Sequence, residues 1–139
     1  MPACSFRSAD VPFNLKGKKK YTQWLHQIIK EHHAVPGDLV FVFCTDDYLI
    51  KYNIEYLNHH TLTDIITFDY SENNVISGDI LISVERVREN ALQRNIPFNN
   101  ELCRVMVHGV LHLLGYHDKA PADKSKMRKA EDLALSLLT

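Results

Sequence analysis

Residues Val107–Asp118 read VHGVLHLLGYHD and place two histidines in an apolar run just before a glycine. His108 and His112 are separated by three residues, and side chains at this spacing share one face of a helix. Gly115 follows where such a helix should end, because glycine accepts the left-handed conformation of a helix C-cap. The stretch therefore predicts a helix that presents both imidazoles to one metal ion and then turns back.

After the predicted turn, His117 and Asp118 are the residues that can complete the site. Two imidazoles with at most one carboxylate suit zinc, and a catalytic zinc keeps a further position for water. The pattern therefore favours one Zn²⁺ ion, although the same donors also accept nickel, cobalt or iron. In a chain with 8 His, such a pair also arises by chance. Directing two imidazoles inward from an apolar helix is costly unless they bind something, and this favours the metal site.

The spacing also overlays the zinc-binding run of the metzincin proteases, His-Glu-x-x-His-x-x-Gly-x-x-His. Those proteases need the glutamate directly after the first histidine as a general base. Gly109 occupies that position here and has no side chain that could accept a proton. A peptidase is therefore disfavoured.

Several motifs in the same order resemble those of the YbeY family, the bacterial single-strand-specific endoribonucleases of ribosomal RNA maturation. The run HGVLHLLGYHD is similar to the family's His-Gly-x-Leu-His-Leu-x-Gly-Tyr-Asp-His. Thr63–Phe68 resembles its Thr-Asp/Asn-Val-Leu-Ser-Phe strand, and Gly78–Ser83 resembles its Gly-Asp-Ile-x-Ile-Ser strand. Asp46 and Asn53 fall on the preceding helix much as the family's Asp and Asn do. An ordered set of motifs is far more specific than one motif alone.

The end of the metal motif departs from the family pattern. The resemblance places the third zinc ligand, a histidine in the family, at Asp118, and it places His117 where the family has aspartate. A carboxylate binds zinc well, and its charge makes zinc-bound water less acidic than three neutral imidazoles would. We therefore predict His108, His112 and Asp118 as the metal ligands, with His117 as the competing third ligand.

A second departure is the absence of an arginine. The family's usual Tyr-Arg pair is replaced by Tyr56 and Leu57, so the guanidinium that would bind phosphate is missing. His59 and His60 are close in the sequence, but they supply only weak, pH-dependent cations. A basic cluster after the metal motif flanks the expected chemistry and comprises Lys119, Lys124, Lys126, Arg128 and Lys129. An earlier cluster at residues 16–20 is better explained as a solvated helix start.

Composition limits the possible assignments. With 139 residues and 45% hydrophobic content, the chain is expected to form a single domain over residues 1–139. Lys+Arg 16 against Asp+Glu 17 gives a net charge of −1, which argues against tight non-specific nucleic-acid binding through the overall field. Scattered cysteines, no signal-like start and no membrane-length apolar run predict a soluble, cytoplasmic protein of bacterial type that binds neither membrane nor DNA.

Hydrophobic periodicity and turn residues predict alternating helices and strands after an irregular opening. The predicted helices are Tyr21–His33, Asp46–Leu57, Val84–Arg94, Glu101–Leu114 and one that begins at Pro121. The predicted strands are Leu39–Cys44, Asp64–Phe68 and Val75–Ser83. The predicted N-caps are Thr45, Ser83 and either Asn99 or Asn100. The predicted packing face of the last helix comprises Met127, Ala130, Leu133, Ala134 and Leu137.

The helix that carries the metal motif is apolar on nearly all sides and should be central and buried. The expected fold class is therefore α+β: a small mixed β-sheet with helices packed over it and a zincin-like metal helix at the centre. The resemblance implies the same arrangement, with a cleft between the sheet and the motif.

The resemblance implies zinc-assisted phosphodiester hydrolysis of single-stranded RNA, in ribosomal RNA maturation and ribosome quality control on ribosomal particles. His108 would act as a metal ligand, and His117 is the candidate proton carrier if it does not bind the metal. Lys119 and the basic residues beyond it are candidates for binding phosphates. Asp79 and Ser83 are candidates for lining the substrate cleft, with a turn residue and an N-cap as their alternative roles.

A non-catalytic ribosome-assembly factor, whose metal only links the C-terminal helices to the sheet, is the alternative. The missing arginine and the missing glutamate both favour it. The two functions differ in one observable, because a structural zinc has four protein ligands whereas a catalytic zinc keeps a water. His117 would be the residue that closes a four-ligand site.

Overall fold

The computed structural model of the chain describes residues 3–57 and 63–138, so His59 and His60 lie outside the described residues. The strands are β1 Cys4–Ser8, β2 Val35–Cys44, β3 Ile65–Asp69 and β4 Val75–Ser83. The helices are α1 Lys18–Glu31, α2 Asp46–Leu57, α3 Val84–Arg94, α4 Phe98–Leu113 and α5 Pro121–Ser136. Among these, no helix is long and apolar enough to cross a membrane.

The four strands form one mixed sheet in the order β1-β2-β4-β3. Strands β1, β2 and β4 run parallel, and β3 pairs antiparallel with β4 at the edge. One row of paired residues crosses the whole sheet through Phe6, Phe41, Ile80 and Thr67. Parallel neighbours require crossover connections, and α1 and α2 lie in those connections along the chain. The predicted α+β class, with a mixed sheet and packed helices, is confirmed.

The irregular opening expected from the sequence is wrong between Cys4 and Ser8. These residues form the edge strand β1, which pairs with β2 from Leu39 to Phe43. Only the Phe6 ring gives the segment a strong apolar anchor, and it stacks on Phe41 with ring centroids 5.3 Å apart. The strand is short, is only partly buried and pairs with residues far along the chain, so alternation within its own sequence does not reveal it.

Two of the predicted helix caps are confirmed. The Ser83 hydroxyl oxygen accepts the backbone N–H of Arg86 at 3.1 Å, which caps α3 directly at the end of β4. The Thr45 hydroxyl oxygen accepts the backbone N–H of Tyr48 at 3.3 Å at the start of α2. Ser83 is fully buried and also donates to Asp46 at 2.7 Å, so it joins α2 to α3 and does not line a cleft.

The start of α4 differs from the prediction. Neither Asn99 nor Asn100 is the cap, because the helix begins at Phe98 with Pro97 in the N-cap position. Pro97 has extended backbone angles, and its carbonyl accepts the N–H groups of Asn100 and Glu101 at 3.1 and 3.3 Å. The fixed φ of proline orients this carbonyl without any help from a side chain.

Helix α4 is central, as predicted, and packs against β3, β4, α1, α3 and α5. Its closest approach to the sheet is at Gly109, where an added Cβ would lie 2.9 Å from side-chain atoms of both Ile65 and Ile80. The position that carries the general base in metzincins is therefore pressed against the sheet. A Cβ here would require the two isoleucine side chains or the helix to shift, so glycine permits the closest approach.

The packing face of α5 is only partly as predicted. Met127, Ala130 and Ala134 are buried, but Leu133 and Leu137 are 70% and 40% exposed. The buried stripe instead includes a charged residue, Glu131. Amphipathic periodicity misses this because it assumes that every charged side chain points to solvent.

We expect Gly109→Ala to destabilise the protein by about 1 kcal/mol. Overpacking of a core contact costs about 1–3 kcal/mol, which exceeds the gain of about 1 kcal/mol in helix propensity. Chemical denaturation measures the free energy of unfolding. Asn99→Ala, at an exposed position of the same helix, is the control and should change stability by no more than a few tenths of a kcal/mol. A Gly109→Ala variant more stable than the parent would contradict this packing.

Candidate metal centre and adjoining recess

The turn after α4 brings the chain back toward the two histidines. Gly115 has φ +104°. Its N–H donates to the carbonyl of His112 at 3.0 Å, and the N–H of Tyr116 donates to the carbonyl of Leu111 at 3.0 Å. These two bonds are a Schellman motif, as the sequence predicted for this glycine. Tyr116 then packs against the core and its hydroxyl contacts His32 at 3.0 Å, which fixes the start of the returning segment.

Three predicted ligands meet at the end of this turn. The Nε2 atoms of His108 and His112 are 3.1 Å apart, and Asp118 Oδ2 lies 3.1 and 3.2 Å from them. A tetrahedral zinc ion with ligands at about 2.0–2.1 Å has ligand–ligand edges of about 3.3–3.4 Å. The triangle of donor atoms is therefore within a few tenths of an ångström of the size that zinc requires.

The group of ligands is open on one side. The side chains of His108, His112 and Asp118 are 22%, 27% and 36% exposed, so part of each side chain faces solvent. His117 is exposed and does not belong to the group, which among the described residues is the one set of three or more candidate ligands. Three protein donors and a solvent-facing side match the donor set of a catalytic zinc.

Glu131 holds the first histidine in place from the other side. Its Oε2 accepts a hydrogen bond from His108 Nδ1 at 2.6 Å, and its Oε1 accepts one from Arg104 at 2.8 Å. A carboxylate only accepts hydrogen bonds, so the proton of the neutral His108 ring is on Nδ1 and the lone pair is on Nε2. A carboxylate that fixes the tautomer of a ligand histidine is a common support of metal sites.

Glu131 and His108 each stabilise the charged form of the other. Burial would raise the pKa of Glu131, but hydrogen bonds from His108 and Arg104 hold it below the ordinary value of a glutamate. Burial would lower the pKa of His108, but Glu131, followed by Asp118 and Asp64, raises it above the ordinary value of a histidine. An anionic surrounding that favours a cation at His108 also favours a bound metal ion.

A recess of about 290 Å³ adjoins the metal group. Its walls include Asp64 from the loop before β3, together with the arginines Arg94 and Arg104. Burial raises the pKa of Asp64, with an opposing effect from His108, and the carboxylate accepts a hydrogen bond from Asn90 at 3.4 Å. The recess therefore places a carboxyl group of raised pKa and two arginine side chains beside the candidate ligands.

The two predicted substrate-binding residues lie in different places. Lys119 follows Asp118 directly and is exposed. Asp79 lies on the opposite face of the sheet, because side chains alternate along β4 and its neighbour Ile80 is the one that faces Gly109. Its carboxylate accepts a hydrogen bond from the Tyr70 hydroxyl at 3.2 Å. The structure thus does not bring Asp79 together with the metal group.

Glu131, Arg94, Arg104 and Asp64 were not singled out as site residues from the sequence. Glu131 carried a signal, since a glutamate within the Met127–Ala134 apolar stripe is unusual unless it is paired. Asp64 stood in a recognised motif without an assigned role. The two arginines carried no such signal, because their approach to the recess depends on how α3, α4 and α5 pack.

Comparison with known proteins identifies what this chain is similar to. The family model for endoribonuclease YbeY matches residues 5–139. Endoribonuclease YbeY of Flavobacterium johnsoniae is 48% identical over 128 residues, covering 92% of this chain and 92% of that protein. The protein of the same name from Phocaeicola vulgatus is 43% identical over 122 residues, covering 88% of each.

A solved structure is also similar. The solution structure of TM1509 from Thermotoga maritima matches with a TM-score of 0.62 and 25% sequence identity. The match covers 96% of this chain and 90% of that one. The fold described above is therefore found in an experimentally determined structure.

We expect Glu131→Gln to weaken zinc binding by about 10–100-fold, the usual effect of removing a carboxylate that supports a ligand histidine. Competition with a chromogenic chelator measures the affinity. Asp132→Asn is the matched control, since Asp132 also pairs with Arg104 at 2.8 Å but is 59% exposed. It should change the affinity by no more than about fivefold, because exposed ion pairs contribute about 0–1 kcal/mol. Equal effects of both substitutions would contradict the role assigned to Glu131.

Proposed function

Because this chain belongs to the YbeY family, we propose that it is a zinc-dependent endoribonuclease that hydrolyses phosphodiester bonds of single-stranded RNA. The proposed biological substrate is ribosomal RNA, met on ribosomal particles during maturation and quality control in the bacterial cytoplasm. Family membership supports the endoribonuclease role. The zinc ion and the ribosomal setting are the proposed additions.

One observation carries the zinc proposal. His108, His112 and Asp118 place three donor atoms within 4.8 Å of one another, and nothing among the described residues adds a fourth. A structural zinc needs four protein ligands, so three donors on partly exposed side chains favour a site that keeps a place for water or substrate. A non-catalytic assembly factor with a closed metal site would have needed His117 in the group, and His117 is not among the three grouped donors.

The proposed mechanism assigns a role to each part of the site. A zinc ion held by these three residues supplies Lewis-acid chemistry, since it polarises phosphoryl oxygens and acidifies water. Glu131 keeps the lone pair of His108 Nε2 directed at the ion, and Asp118 contributes the anionic donor. The role of proton carrier is assigned to His117, which is exposed beside Asp118 and can exchange protons with solvent.

The proposed use of substrate contacts follows from the position of the site. Lys119 extends the chain just beyond Asp118, where it can neutralise a backbone phosphate. No carboxylate is available at position 109 to act as the protease base, since Gly109 contacts the sheet. The site therefore suits a phosphodiester, whose charged oxygens gain from a metal ion and nearby cations.

We expect two histidine variants to separate metal binding from proton transfer. His108→Ala should lose both zinc, measured by elemental analysis of purified protein, and cleavage of a labelled single-stranded RNA. His117→Ala should keep its zinc and cleave about a hundredfold more slowly, the effect typical of removing a general acid or base.

His26→Ala is the control, since this half-buried histidine of α1 is not part of the metal group. It should match the parent protein in both measurements. Equal cleavage by the parent and His108→Ala would remove the catalytic proposal. Loss of zinc in His117→Ala would make His117 a ligand and would favour the closed, structural site.

A further inference from the structure

The cations around the recess fall into two classes. Arg94 contacts both carboxylate oxygens of Glu101 at 3.1 and 3.2 Å. Arg104 contacts Glu131 and Asp132, each at 2.8 Å. Both guanidinium groups are thus neutralised by carboxylates of the protein and serve mainly to hold the walls of the recess together. They have little charge left for a ligand.

Lys124 and Arg128 form the second class. Both side chains line the same recess as His108 and Asp118, and both are exposed on α5. Within residues 3–57 and 63–138, neither has a carboxylate within ion-pair distance, unlike the two arginines of the walls. Residues four apart share one face of a helix, so these two unpaired cations project side by side over the entrance.

The rest of the basic cluster is placed differently. Lys126 and Lys129 are exposed on the same helix but do not line the recess. The basic character of residues 119–129 is therefore not uniform. The structure directs Lys124 and Arg128 to the metal side and leaves Lys126 and Lys129 facing solvent.

We propose that Lys124 and Arg128 form a phosphate-binding pair that holds a backbone phosphate of single-stranded RNA in the recess beside the metal group. The inference rests on the proposed function and specifies where the substrate lies. An arginine presents a planar set of donors that matches phosphate oxygens, and a lysine adds a compact charge.

The size of the recess fits such a ligand. At about 290 Å³ it is near the lower end of small-molecule pockets, which measure about 300–1,000 Å³. A recess of this volume can accommodate one phosphate with part of its sugar. Asp64, Asp118 and Glu131 would repel a free anion, so the contact depends on the strand being held elsewhere or on a bound cation that offsets their charge.

The test compares two double variants that remove the same charge from the same helix. Lys124→Ala with Arg128→Ala removes the pair at the recess, and Lys126→Ala with Lys129→Ala is the matched control. Fluorescence anisotropy with a short labelled single-stranded oligoribonucleotide, in zinc-loaded protein carrying His117→Ala to slow cleavage, measures affinity over a range of salt concentrations. Circular dichroism and zinc content verify that each variant is folded and loaded.

We expect the recess variant to bind the RNA at least about tenfold more weakly at low salt, and the control to stay within about twofold of the parent. The salt dependence should fall by about 0.7 in the slope of log affinity against log salt, because the pair contacts one phosphate and each single-strand phosphate contact contributes about 0.7. Exchanging the two residues, Lys124→Arg with Arg128→Lys, should restore most of the affinity because both charges remain at the entrance.

Equal losses in both double variants would overturn the proposal, because they would show that only the total charge of α5 matters. Unchanged binding by the recess variant would overturn it as well. If either result is obtained and the parent protein cleaves RNA, the proposed function stands and this inference alone is refuted. A parent that neither binds nor cleaves single-stranded RNA would refute both.

Discussion

The close contact of α4 with the sheet is the constraint on which the rest of the structure depends. Gly109 lets the helix backbone approach Ile65 and Ile80 so closely that an added Cβ would lie 2.9 Å from each. With that face fixed, His108 and His112 must project sideways along one flank of the helix. The Schellman turn at Gly115 then returns the chain to the same flank, so that Asp118 meets both imidazoles. One packing contact therefore determines where the metal group forms.

A second layer of charged residues stabilises this arrangement. Arg104, Glu131 and His108 form a chain of hydrogen bonds that joins α4 to α5, and Asp132 anchors its far end. Removing Glu131 would leave Arg104 and His108 without their shared buried partner, so these three residues depend on each other, whereas Asp132 is 59% exposed and contributes less. Carboxylates of the protein pair with Arg94 and Arg104 in the walls of the recess, whereas Lys124 and Arg128 remain available to bind a ligand. The function proposed for Lys124 and Arg128 thus follows from what Glu101, Glu131 and Asp132 already neutralise.

Much of the fold was predictable from the sequence because its signals are local. The bounds of β4 and α3, the caps at Thr45 and Ser83 and the left-handed glycine at 115 each follow from neighbouring residues. Strand β1 was not predictable, because its pairing with β2 is long-range and its sequence has little alternation. The start of α4 was misplaced because Pro97 stands in the N-cap position and no side chain caps the helix, so the usual cap residues do not mark its start.

The residues of the candidate site also fall into those that local sequence predicts and those that only tertiary packing brings together. The spacing of His108, His112 and Asp118 is local, and the structure brings these three together. Glu131 and the arginines of the recess come from other helices, so their contribution depends on tertiary packing. Asp79 lies on the far face of the sheet, a position that its place in a sequence motif does not reveal.

A crystal structure of the zinc-loaded protein, with diffraction recorded on both sides of the zinc absorption edge, tests the central claim most directly. The account predicts one anomalous peak bonded to His108 Nε2, His112 Nε2 and an Asp118 oxygen, with a water or other solvent ligand in the remaining position. A peak with His117 as a fourth protein ligand, or no peak between the two imidazoles in fully loaded protein, would contradict it.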